Sequence, residues 1–189
     1  TLVADNAPRA SDGLYGRGIM VQGGANLEVT GVVVAGHSDL GLYLSGVGTK
    51  ASLVEFVVAG PAASVARLVS IQAEAEADLQ RVALRGDALL GLYVGTGASV
   101  SASDLRIEGV GVAEVAETAR LLEVSRGGTL NGSRVVLVAA QGGGALVTEP
   151  SARLLLRDAL IRSPHTALPG RGVEANLGAV VSLERVLVE

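Results

Sequence analysis

The pattern apolar-x-apolar, two residues, apolar-x-apolar recurs seven times along the chain, and no other feature restricts its fold so tightly. It begins with Leu27, Val29, Val32 and Val34, returns with Ala51, Leu53, Phe56 and Val58, and ends with Val181, Leu183, Val186 and Val188. The sets between them start at Ala77, Val100, Leu130 and Leu154, and only Gly132 breaks the run of apolar side chains. Successive sets start 23 to 30 residues apart. Alternation with a period of two marks a strand, and a skip of two between alternating pairs marks a tight corner that keeps the same face inward. Upstream of most sets lies a third alternating pair, such as Leu42 and Leu44, Val69 and Ile71, or Leu92 and Val94. Each repeat therefore predicts one coil of three short strands. A single coil cannot bury its own apolar face, so coils must stack on one another.

Composition agrees with thin, regular layers. Hydrophobic residues make up 49% of the chain, yet there is one Phe, no Trp and three Tyr, so the core must be built from Val, Leu, Ile and Ala. The net charge of −4 is spread over both signs without a basic stripe, which argues against nucleic acid as a partner. No cysteine is present, so neither a disulfide framework nor a thiolate metal site is available. No apolar run approaches 18 residues, and a transmembrane helix is not expected.

Coils of this length and pattern resemble the right-handed parallel β-helix of the pectate-lyase-like superfamily, and the resemblance covers the chain from about Gly16 to Glu189. The fold class expected is all-β, a three-sided right-handed parallel β-helix of about seven coils; the handedness is implied by the resemblance. Residues 1–15 read as the end of a preceding coil followed by a long turn, because Thr1 to Ala4 aligns with Val32 to Ala35. Residues 16–189 form the β-helix, expected to be a piece of a longer solenoid, with a short helical excursion at Val112 to Ala119. Enzymes of the superfamily carry paired Asp residues with an Arg or Lys on the outer face of one sheet. Nothing in this chain matches such a motif residue by residue, so no catalytic residue, metal or cofactor is expected.

The second residue of each corner reads Gly31, Glu55, Arg81, Asp104, Arg134, Asp158, Arg185. Stacked strands lie about 4.8 Å apart, so these residues form a ladder of alternating sign that fixes stacking register rather than a ligand site. The stretches GLYLSGVG at Gly41 and GLYVGTG at Gly91 look like phosphate loops, but each leads into another strand and not into a helix N-terminus. His37 reads as a turn residue, and the RGD at Arg85 to Asp87 as a coincidence of three residues.

Two outer faces remain as candidates. On the upstream strand the outward positions read Met20, Tyr43, Ser70, Tyr93, Glu123, Val147, Glu174, and Tyr43 and Tyr93 with Asp39, Asp87 and Arg67 suggest a face on which sugar rings stack. On the third strand the outward positions are Val33, Val57, Ala83, Arg106, Val136, Leu160 and Leu187, where polar residues belong on a solvated face. Such an apolar stripe marks an interface with a protein partner, a second subunit or a neighbouring domain. The first functional reading is a non-catalytic structural, adhesion or assembly module of a secreted or surface protein, acting extracellularly or at the cell surface through Val33, Val57, Ala83, Val136, Leu160 and Leu187. The second is a polysaccharide-binding or polysaccharide-cleaving domain using the Tyr43/Tyr93 face.

Overall fold

The computed structural model describes residues 1–3, 16–60, 67–86, 88–109, 119–138, 143–162 and 171–189. The expected long turn, Asp87 and residues 112–118 of the expected helical excursion lie outside them. The chain alternates between two parallel sheets. The first has seven strands in sequence order: β2 (Ile19–Gln22), β4 (Leu40–Ser45), β6 (Arg67–Gln72), β8 (Leu90–Val94), β10 (Arg120–Ser125), β13 (Gly143–Thr148) and β15 (Val173–Ala175). The second is made of β1 (Leu2–Val3), β3 (Asn26–Val34), β5 (Lys50–Ala59), β7 (Glu76–Arg85), β9 (Ser99–Glu108), the pair β11 (Thr129–Ser133) and β12 (Val136–Val138), β14 (Arg153–Arg162) and β16 (Val180–Val188). Every strand pairing is parallel, and each rung pairs only with the rungs on either side. The seven rungs make a parallel β-solenoid of about six turns.

The expected second and third strands are two arms of one bent strand. The bend falls on a single residue in the left-handed region: Glu55, Arg81, Asp104, Arg134, Asp158 and Arg185 have φ between 51 and 56°, and Gly31 takes the same place at 66°. One such residue turns the chain sharply while pairing resumes directly beyond it, which is why β5, β7, β9 and β14 run unbroken through the corner. The fold is therefore three-faced but two-sheeted.

The inward positions build the core. Leu53, Phe56, Val58, Leu79, Leu84, Val100, Leu105, Ile107, Leu137, Leu156 and Ile161 are all buried, and Phe56, the only phenylalanine, is fully so. Gly91 marks a close approach between rungs, since a Cβ there would lie 2.5 Å from both the Leu121 carbonyl oxygen and Ile107 Cγ2.

Phe56→Ala removes the largest fully buried side chain among the described residues. A loss of about 3–5 kcal/mol of stability is expected, read as a lowered urea midpoint with an unchanged circular-dichroism spectrum before the transition.

Candidate functional site

The seven-stranded sheet presents the row Met20, Tyr43, Ser70, Tyr93, Glu123, Leu146, Glu174 to the outside. Val147, expected in this row, is fully buried, because Ala145 and not Leu146 pairs with the inward Leu122. Three positions upstream runs a second row, Arg17, Leu40, Arg67, Leu90, Arg120, Gly143, Arg171, in which every other rung supplies an arginine.

These rows interlock. The Arg17 guanidinium sits 4.5 Å from the Tyr43 ring centroid, and Arg67 sits 4.8 Å from that of Tyr93. Arg17 also pairs with Asp39 at 3.2 Å, and Gln72 Nε2 donates to Tyr43 Oη at 2.7 Å. Ser125 Oγ donates to Tyr93 Oη at 3.1 Å. The Tyr93 ring lies over Gly95, where any Cβ would fall 2.3 Å from the phenol oxygen, so the glycine after GLYV makes room for the tyrosine. Tyr93 is consequently only 6% exposed and Tyr43 is half-buried. The expectation of two outward-standing rings is corrected: both side chains lie along the sheet beneath a guanidinium. Asp39 joins the Tyr43 group and Arg67 the Tyr93 group, whereas Asp87 lies outside the described residues. Beside them, burial raises the Glu123 carboxyl above its usual range, with Arg67 and Arg120 opposing.

The turn entering β4 holds His37, which is 1% exposed and has no hydrogen-bond partner at either ring nitrogen. It packs against Gly41, whose missing Cβ leaves the room: a methyl there would come within 3.2 Å of His37 Cε1. Burial holds its pKa below 6.5 against the opposing charge of Asp39. The expected turn residue thus carries a buried imidazole.

On the third-arm face the row Val33, Val57, Ala83, Val136 and Leu160 is half-buried, Leu187 is 55% exposed, and Arg106 interrupts the row with an ion pair to Glu108 at 2.6 Å. A shallow concavity of about 480 Å³ opens here, with Val136 and Leu160 as its floor and Asp104, Arg134 and Asp158 along its rim. The rim is the corner ladder itself. Arg81 meets Glu55 at 3.3 Å, Arg134 meets Asp104 at 2.6 Å and Arg185 meets Asp158 at 2.6 Å. Their guanidinium hydrogen bonds hold the Asp104 and Asp158 carboxyls below their usual range.

A third feature escaped the sequence reading. The outer face of the second arm carries two adjoining concavities of about 320 and 260 Å³ that share Asp78 and Ser101. Their floor is Ser99, Ser101, Ser103, Asn131 and Ser133, with Asp78 on one side and Arg157 on the other. The signal was present as small polar residues at consecutive outward positions of two neighbouring rungs, flanked by rungs with long side chains. Among the described residues no three His, Asp or Glu side chains converge where a metal ion could sit. Among them, too, no helix is long and apolar enough to cross a membrane. No family model matches the chain, and no curated protein or solved structure matches it.

Because the folded state lowers the His37 pKa, the unfolded chain takes up the proton first as the pH falls. The contribution of neutral His37 is whole above pH 6.5 and is lost below it. Urea midpoints compared at about pH 7.5 and about pH 5.5 are expected to fall further in the native protein than in His37→Leu, and equal falls would refute the assignment.

Proposed function

We propose that the chain is a non-catalytic structural and assembly module of a secreted or surface protein, of the right-handed, pectate-lyase-like β-helix kind, and that it holds a protein partner against its third-arm face. The observation that carries this reading is the apolar row. An outward position on a one-sided sheet is ordinarily polar, as the second arm is at Ser99, Ser101 and Ser103. The third arm instead places Val33, Val57 and Ala83 on neighbouring rungs and Val136, Leu160 and Leu187 on neighbouring rungs beyond Arg106. At about 4.8 Å per rung and about 3.3 Å per residue the whole face, charged rows included, measures roughly 34 by 13 Å, and exposed apolar rows of this kind mark contact surfaces.

A second reading, polysaccharide binding, is favoured by one observation: the trough between Asp78 and Arg157 sets hydroxyl and amide groups between a carboxylate and a guanidinium, all suited to sugar hydroxyls. The Tyr43/Tyr93 face supports that reading less, since the guanidinium groups occupy the rings.

Val57→Asp together with Val136→Lys separates the two. Both sites are half-buried on the outer face, so a stability loss of about 0.5–3 kcal/mol is expected without loss of the fold. Self-association measured by light scattering and fluorescence of an apolar dye are both expected to fall. If neither responds while glycan binding is abolished by Asp78→Ala, the polysaccharide reading replaces the first.

A further inference from the structure

Three parallel rows make up the third-arm face. The corner row is Gly31, Glu55, Arg81, Asp104, Arg134, Asp158, Arg185. The middle row is Val33, Val57, Ala83, Arg106, Val136, Leu160, Leu187, preceded by Leu2 of β1, which pairs with Val33. The strand-end row begins Ala35, Ala59, Arg85, Glu108, Val138, Arg162. Each row has its own chemistry, and a partner must suit all three together.

We infer that the partner is a second copy of this chain, packed face to face with the solenoid axes antiparallel, about a two-fold axis that lies along the strands between the third and fourth rungs. This rests on reading the face as an interface, and adds the occupant and its register. Rotation about that axis sets each row against itself in reversed order. In the middle row Ala83, the smallest member, then faces Arg106, the one long and polar member. Val57 faces Val136, Val33 faces Leu160, and Leu2 faces Leu187. In the corner row Arg81 faces Asp104 and Glu55 faces Arg134, so every rim charge on those rungs meets its opposite. In the strand-end row Arg85 faces Glu108, which already neutralises Arg106 within its own chain, and Ala59 faces Val138.

Neighbouring registers lack this match. An axis through the fourth rung stacks Arg106 on Arg106 and Asp104 on Asp104. An axis one rung further along sets Arg106 against Val136 and Arg85 against Arg162. An axis one rung back buries Arg106 on Val33. Of these registers only the proposed one sets Arg106 against Ala83, the smallest of its row, while opposing unlike charges on the third and fourth rungs of both charged rows, and in it the strands of the two faces run parallel, as aligned sheet packing requires.

From its dimensions the face would bury about 900 Å² in total over both copies, below the range of stable specific interfaces and in that of weak, transient ones. The dimer is accordingly reversible and concentration-dependent.

Sedimentation equilibrium on the full chain tests the occupant, and a residue swap tests the register. Ala83→Arg sets Arg against Arg106 twice per dimer and is expected to weaken association at least about tenfold. Adding Arg106→Ala exchanges the large and small positions and is expected to restore association to within about threefold, with circular dichroism confirming that each variant folds. Cross-linking gives an independent check, since the chain has no native cysteine. Facing sheets lie about 10 Å apart. A bis-maleimide of about that span is expected to join Val57→Cys to Val136→Cys chains in a mixed pool, and to join neither variant to itself. A chain that stays monomeric to millimolar concentration overturns the second copy, while loss of apolar-dye binding in Val57→Asp still upholds the face. A dimer that Val57→Asp abolishes but the swap does not restore, or that cross-links within either pool alone, overturns the register and leaves the face. A dimer indifferent to Val57→Asp overturns both.

Discussion

Everything in this molecule follows from parallel rungs in register at a spacing of about 4.8 Å. Because each rung pairs only with the rungs beside it, a side chain has the same row neighbours whether the loops between rungs are short or long. The left-handed corner residue extends this rule around the bend. It turns the strand without ending the ladder, so the corner row inherits the register of the arms on either side.

Side-chain ties then reinforce each junction in alternation. Arginine over tyrosine joins the first rung to the second and the third to the fourth. Corner ion pairs join the second to the third, the fourth to the fifth and the sixth to the seventh. Arg126 and Glu149, 3.9 Å apart, bridge the fifth and sixth. Exposed ion pairs add little to stability one by one. Their role is to penalise mis-stacking, since skipping a rung sets like charge beside like charge at that junction.

What could be read from the sequence was whatever depends on alternation alone. The inward pairs, the corner positions and the sign pattern of the ladder follow from periods of two and about 25 residues, and the structure places them together. Features that depend on where a long side chain lies down could not be read. Tyr93 occupies an outward position, but its ring lies along the sheet toward Gly95 and Ser125, and only a three-dimensional neighbour list reveals that Arg67 covers it. Leu146 was missed by one residue because the three glycines from Gly142 to Gly144 blur the start of the strand. The serine trough was overlooked for another reason: its shape comes from small residues on two neighbouring rungs at once, which no single strand displays. Burial of His37 depends likewise on the glycine four residues on.

The alternation of ties has a bearing on how such a chain can change length. Arg17, Arg67, Arg120 and Arg171 recur at intervals of 50, 53 and 51 residues, two rungs at a time, as do the acids and bases of the corner. Deleting or duplicating one rung would bring two corner residues of the same sign together and separate a tyrosine from its arginine. Deleting or duplicating two keeps the corner signs alternating. The chemical repeat of the corner and of the arginine row is thus the double rung of about fifty residues, and a change of length by that step keeps their charges in phase.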